Sequence, residues 1–317
     1  MTTTVPTVMR ALRAAARGDP GNLTYQEMPV PTPGIGDVLV EVTAASFTPD
    51  ELDWPSTWVD RAGRDRSPSV PGHEVAGTVA ALGYGTTGLA VGDEVYGLTD
   101  WYRDGTLAEY VAVEARDLAR RPASLSGPEV AAVPMAGLTS WQALFTHGGL
   151  RDGQAVLTAG AGGGVGTMAV QLARHAGARV IGMGHAGSRD LVMSLGADEF
   201  VTDSAALDES LGEVDVMFDL VGGELLPQCS SVVRRGGTAV SVVEAPPSRN
   251  GRGEDIRSRF FVVEPDRLQL TELAQRIDDG QLRPIVGHVA DLSDGARVWT
   301  AKRAGGVPGK VVLRPSH

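Results

Sequence analysis

The chain has 317 residues, 42% of them apolar, and a net charge of −11 from 28 basic and 39 acidic side chains. That length is too great for one ordinary core and suits two domains, while an acidic balance without a basic run argues against nucleic acid or anionic lipid as partner. No apolar run approaches the roughly eighteen residues of a membrane span, no apolar stretch follows the N-terminal basic residues as a signal peptide would need, and the single cysteine, Cys229, excludes an internal disulfide and a thiolate zinc cluster and points to a reducing cytoplasm.

Up to about residue 125 the pattern is of short strands separated by Gly and Pro. They are 38–42 (VLVEV), 74–79 (EVAGTV), 94–97 (EVYG) and 109–113 (EYVAV). This predicts a mostly antiparallel barrel or sandwich. Beyond it, strands are expected at 155–159 (AVLTA), 179–183 (RVIGM), 214–218 (VDVMF) and 238–243 (TAVSVV), with helices over 165–175 and 189–195. Such alternation predicts an α/β domain, a doubly wound parallel sheet with helices on both faces. A helix over 265–280 and a last strand at 310–313 (KVVL) form a tail that would rejoin the first domain.

Residues 158–166 read TAGAGGGVG. They follow a predicted strand and open a predicted helix, where a dinucleotide's pyrophosphate rests on helix-terminal N–H groups. Gly160 permits the tight turn, Gly163 and Gly164 let backbone approach phosphate beside Val165, and Gly166 lets the helix pack on the sheet. Flexible loops use the same residues; the flanking strand and helix are what favour a nucleotide.

The longer run TAGAGGGVGTMAVQLARHAGARVIG (158–182) resembles the cofactor turn of the medium-chain dehydrogenase/reductases, and more narrowly their zinc-independent quinone oxidoreductase (zeta-crystallin-like) branch. PGHEVAGTV (71–79), VGDEVYGLT (91–99), DGTLAEYVAV (104–113), LGADEFV (195–201), VDVMFDLVGG (214–223) and RRGGTAVSV (234–242) resemble that branch in the same order. The resemblance implies a GroES-like (chaperonin-10-like) catalytic β-barrel split by an inserted Rossmann domain. Residues 1–125 would be the first part of the barrel domain, 126–262 the dinucleotide-binding domain and 263–317 the barrel's C-terminal part. By the same resemblance Thr139 would lie near the nicotinamide amide, at the start of the helix before the glycine strand. Leu220, Val221 and Gly222 would lie on the adenosine side, and Val242 and Val243 near the nicotinamide.

An NAD site places an acid at the end of the second strand to bind the ribose 2′-OH. Here that strand runs into Gly184, His185, Ala186, Gly187, Ser188 and Arg189. The absence of an acid, with His185, Ser188 and Arg189 at hand, favours NADPH; Asp190 reads as charge complementation at a helix start. The alternative for Arg189 is a solvated helix residue. Zinc-dependent relatives in the family carry cysteines near 44–52 and 134–141, where this chain has Phe47 and Met135–Ala136, and one surviving histidine, His73, cannot hold zinc. No metal is expected.

Without a Lewis acid, hydride is better directed to a quinone or to an α,β-unsaturated carbonyl, whose charge collects on a distant oxygen within reach of neutral donors. Phe47, Thr48 and Asp50 fall where the family lines its cleft, with Thr48 in place of a frequent asparagine. Trp54, Trp58 and Trp101 offer flat faces, or else anchor loops and core. Tyr102 is a proton-donor candidate. The expected function is therefore NADPH-dependent, metal-independent reduction of a quinone or an enone C=C bond. The alternatives are a tailoring enoyl or ketone reductase of a natural-product pathway, and an NADPH-binding sensor or structural protein without turnover. The expected partners are a small molecule and a second copy of the chain, since the family commonly pairs edge strands and 259–265 (RFFVVEP) is apolar enough for such an edge.

Overall fold

The computed structural model describes residues 5–125, 127–202, 207, 212–305, 307 and 309–316. In chain order its strands are β1 (Val8–Ala14), β2 (Leu23–Pro29), β3 (Asp37–Ser46), β4 (Glu74–Leu82), β5 (Glu94–Leu98), β6 (Tyr110–Glu114), β7 (Leu118–Arg120), β8 (Ala155–Ala159), β9 (Arg179–Met183), β10 (Glu199–Val201), β11 (Val214–Asp219), β12 (Val233–Ser241), β13 (Arg257–Phe260), β14 (Val286–Asp291) and β15 (Lys310–Arg314). The α-helices are α1 (Pro128–Ala131), α2 (Pro134–Trp141), α3 (Gly164–His175), α4 (Arg189–Ser194), α5 (Leu225–Ser230), α6 (Arg267–Asp278) and α7 (Gly295–Arg303). The chain forms two compact units: Met1–Met135 with Pro265–Asp278 and Ile285–His317, and Ala136–Glu264 with Asp279–Pro284.

The first unit is built on a sheet ordered β14-β15-β3-β4-β5-β7, with β6 also paired to β3 and a separate β1–β2 hairpin. Apart from the parallel β14–β15 pair its neighbours are antiparallel. Its core gathers Leu12, Leu39, Val40, Leu107, Leu313 and Trp299. Trp299 on α7 is fully buried, stacks on Phe47 at 4.1 Å and donates its indole N–H to Pro49 O at 2.9 Å. α7 can lie this close because Gly295 faces Leu12, whose Cδ1 would be 2.0 Å from any Cβ there. α6 is held by polar contacts: Arg267 donates to Leu118 O at 2.7 Å and to Ala115 O, and the buried Tyr96 hydroxyl donates to Leu270 O at 2.6 Å.

The second unit carries a six-stranded, wholly parallel sheet ordered β10-β9-β8-β11-β12-β13. The chain reverses about β8, the arrangement that places ligands beyond the C-terminal strand ends. Two glutamines secure its returning segments. Gln142 donates to Glu264 O (2.8 Å) and accepts from Glu264 N (3.1 Å), and Gln171 does the same with Arg283 (both 3.0 Å).

The expected strands at 155–159 and 179–183 are β8 and β9, and the helix at 165–175 is α3 with one more residue. Three expectations need correction. Thr139 does not begin a helix; it lies late in α2, buried. The strand expected at 238–243 starts at Val233 and stops at Ser241, because the backbone beyond is taken over by side-chain hydrogen bonds. The tail helix spans Arg267–Asp278, shorter at both ends than its apolar pattern suggested.

Cys229 lies on α5, fully buried, with its Sγ 3.6 Å from Met183 Sδ. Burial, with Asp219 adding to it, pushes the thiol up to about 12. As the chain's one cysteine it is expected to resist a thiol-specific disulfide reagent at mildly alkaline pH and to react only through opening of this unit. Labelling in increasing urea measures this; prompt labelling of the native protein would show the burial to be wrong.

Candidate active site

The glycine turn joins β8 to α3. Gly160 has φ +83°, a conformation open to glycine, and both Gly160 N and Ala161 N donate to Met183 O at 2.9 Å. A Cβ on Gly166 would lie 2.2 Å from Gly160 O, so the helix start sits directly on the turn. A Cβ on Gly162 would strike Ser188 Cβ at 2.5 Å, which brings the β9–α4 loop onto the same turn. Gly163, by contrast, would meet only Gly160 O, at 3.3 Å. Packing within the chain thus explains glycine at 160, 162 and 166 more firmly than at 163.

Gly163 caps α3 with no side-chain hydrogen bond, and the N–H groups of Gly164, Val165 and Gly166 donate to no acceptor among the described residues. Three such donors on a twelve-residue helix make an anion-binding end. The next loop keeps His185 and Arg189 exposed, while Ser188 Oγ donates to His185 O at 2.8 Å. Arg189 is tethered through one nitrogen, Nη2, to Phe200 O (3.0 Å), with its guanidinium 5.3 Å from the centre of the Phe200 ring. A guanidinium has five donors, so this tether leaves others for a ligand. Asp190 is exposed in the first turn of α4.

At the ends of β11 and β12 the fully buried Asp219 accepts from Val221 N and Gly222 N, both at 3.0 Å, and from Ser241 Oγ at 2.7 Å. Ser241 Oγ in turn accepts from Val243 N (3.0 Å) and Glu244 N (3.3 Å), and Glu244 Oε1 accepts from Gly223 N at 2.6 Å. Gly222 has φ +73°, and a Cβ on it would strike Val243 Cγ1 at 2.6 Å. The two loops are therefore stitched together, Leu220 and Val242 partly buried, with Val221 and Val243 left exposed. Asp219 lies inside the VDVMFDLVGG run, but the sequence carries no sign that Ser241, twenty-two positions on, is its partner.

In the first unit, two residues expected to line a pocket belong to the core. Phe47 is buried against Trp299, and Trp58 is buried with its indole N–H on Leu52 O at 2.9 Å. Thr48 is half-buried and Asp50 exposed. Tyr102 is exposed, with the Arg61 guanidinium 5.7 Å from its ring centre, while Arg61 also pairs with Asp100 at 3.0 Å. Trp54 and Trp101 are half-buried and meet edge to face at 5.6 Å.

Beside them stands a group that the sequence reading did not assemble, centred on Glu51 and His73. Glu51, fully buried, accepts from Gly72 N (2.7 Å), Thr48 N (3.2 Å) and His73 Nδ1. His73 is buried, its ring 4.7 Å from Trp101 and 6.4 Å from Trp54, and its Nε2 has no hydrogen-bond partner among the described residues. Leaving such an atom unsatisfied costs about 1–3 kcal/mol. Next to it Glu74 accepts from Met135 N (3.1 Å) and pairs with Lys310, which also reaches Phe47 O at 3.3 Å. Burial pushes the Glu74 carboxyl up, against the pull of Lys310.

Known proteins share this architecture. A family model described as alcohol dehydrogenase GroES-like domain matches residues 34–123, and one described as zinc-binding dehydrogenase matches 195–313. The probable zinc-binding oxidoreductase, mitochondrial, of Arthroderma benhamiae is 32% identical over 312 residues, covering 92% of this chain and 93% of that one. The 2-methylene-furan-3-one reductase of Solanum lycopersicum is 32% identical over 295 residues, covering 88% and 71%. The structure of the quinone oxidoreductase from Coxiella burnetii superposes with a TM-score of 0.85 at 25% identity, covering 98% of this chain and all of that one.

Proposed function

The chain belongs to the medium-chain dehydrogenase/reductase superfamily, in its quinone oxidoreductase-like branch, and from that premise we propose that it is an NADPH-dependent, metal-independent reductase of quinones or of the C=C bond of α,β-unsaturated carbonyl compounds. Its first unit is the GroES-like barrel and its second the Rossmann sheet. The observation that carries the cofactor is the start of α3, where three N–H groups have no acceptor among the described residues and Gly163 keeps side-chain atoms away.

In this reading Gly160, Gly163, Gly164, Val165 and Gly166 receive the pyrophosphate. His185, Ser188 and Arg189 receive the ribose 2′-phosphate, since β9 ends at Met183 with no acid to repel it. Val221 and Val243 offer exposed apolar contact from loops that Asp219 and Ser241 hold still, next to Leu220, Gly222 and Val242; Thr139 on α2 completes the set. The bound nicotinamide supplies a hydride; the chain's own work is to orient it and to place donors where the acceptor's charge collects. The single cysteine supports a reducing compartment such as the cytoplasm.

The family model and one relative carry zinc in their names, but the residues here do not suit it. Among the described residues no three His, Cys, Asp or Glu side chains are grouped to hold a metal. Glu51 and one nitrogen of His73 satisfy each other, and Glu74 is committed to Lys310 and Met135 N.

If Arg189 binds the 2′-phosphate, Arg189→Ala is expected to raise KM for NADPH about tenfold or more, the value of one charge-assisted contact, and to leave KM for NADH unchanged. Steady-state kinetics with both cofactors decides it; an unchanged KM for NADPH removes Arg189 from the site.

Hydrogen bonds alone favour a conjugated acceptor over an isolated carbonyl, because one well-placed donor contributes only about 3 kcal/mol to an oxyanion. With deuterated NADPH and a simple cyclic enone, deuterium is expected at the β-carbon. Deuterium on the carbinol carbon would mean that a carbonyl reductase has been misread.

We also propose a homodimer. β13 is the edge of the six-stranded sheet, and Phe260 and Val262 at its end are exposed, so a second copy's β13 would cover an otherwise unpaired edge. Light scattering at micromolar concentration is expected to give twice the chain mass, and a monomer mass contradicts it.

A further inference from the structure

His73 is surrounded by polar groups whose needs are met unevenly. Its Nδ1 is on Glu51, which also accepts two backbone N–H groups. A carboxylate with only donors around it fixes the hydrogen on Nδ1. Its Nε2 is buried and has no partner among the described residues. Two hydroxyls on segments bonded to that stretch of backbone are also buried without partners among the described residues. Thr99, whose N–H donates to His73 O at 2.9 Å, is one, and Thr106, whose N–H donates to Gly72 O at 2.8 Å, is the other. Native interiors rarely leave such atoms together unless something polar visits them. The cover over the histidine is aromatic, the half-buried Trp54 and Trp101. A visitor matched to flat apolar walls and one polar atom is a planar conjugated molecule with an oxygen at its edge.

We propose that Trp54, Trp101 and His73 form the subsite for the acceptor's conjugated carbonyl, with His73 Nε2–H donating to the carbonyl oxygen. With Nδ1 on Glu51, a hydrogen on Nε2 means the imidazolium, and the Glu51 carboxylate balances its charge in the buried site. No bond is made or broken by His73: it holds a hydrogen bond to the oxygen and strengthens it as that oxygen gains negative charge. Glu51 is a positioning residue, acting through the ring. This assignment rests on the proposed function, and it supplies a buried donor in the place that the sequence had given to the exposed Tyr102.

The test begins without turnover. In cofactor-free protein labelled with 15N-histidine, the His73 Nε2 resonance, identified by its loss in His73→Asn, is expected to shift saturably with 2-cyclohexen-1-one and not with cyclohexene. An unmoved resonance at concentrations up to the solubility of the enone overturns the subsite, as does an equal shift with cyclohexene. Kinetics follow. His73→Asn keeps a donor toward Glu51 at the place of Nδ1 but presents none at Nε2, and is expected to lose about a hundredfold in kcat with a smaller change in KM. A folded His73→Asn with undiminished kcat overturns the proposal, and if that variant does not fold, the resonance of the wild-type protein decides. Turnover of the enone with an unmoved Nε2 keeps the function and removes the subsite. A shifted Nε2 with no NADPH turnover on any quinone or enone keeps the subsite and removes the function.

Discussion

A carboxylate taken out of water must find donors, and three of them organise this molecule. Glu51, Glu74 and Asp219 are fully buried. Each gathers backbone N–H groups or side chains from segments far apart in sequence: Gly72 and His73 for Glu51, Met135 and Lys310 for Glu74, the 221–222 loop and Ser241 for Asp219. An unsatisfied charge in the interior is costly enough that these partners are in effect obligatory. The loops that carry candidate site residues are therefore fixed by buried acids rather than by their own local preferences.

The same demand accounts for what is left exposed. In the second unit, backbone donors at 221 to 223, 243 and 244 are consumed by Asp219, Ser241 and Glu244, which turns Val221 and Val243 outward as apolar surface. At the start of α3 the opposite holds: glycines leave no side chain to cap the helix, and its first donors have no acceptor among the described residues. A satisfied pair of loops and an unsatisfied helix end thus lie along the C-terminal edge of one sheet, which suits a ligand that is apolar in its rings and anionic at its phosphates.

In the first unit the balance is electrostatic. Lys310, from the last strand, meets Glu74, from the fourth, and His73 meets Glu51. The buried polar side chains of this region are thus spent largely on each other. Beside them Trp54 and Trp101 meet edge to face at 5.6 Å and stay half-buried.

The amino-acid sequence by itself determined the order of elements and the cofactor turn. Strand and helix periodicity depends on neighbours two to four residues away, and the glycine run announces a close approach whatever lies opposite. It also carried enough ordered motifs to place the chain in its family. Only the tertiary structure decided which aromatic side chains pack the core, Phe47 and Trp58, and which remain half-open, Trp54 and Trp101. It alone decided that Gly162 is needed to seat Ser188, that β12 ends at Ser241, and that His73 is buried with one nitrogen unmet among the described residues. Most of these depend on a partner tens of residues away, and side-chain pairing at that range is set by how sheets and loops close in space, which no local pattern encodes.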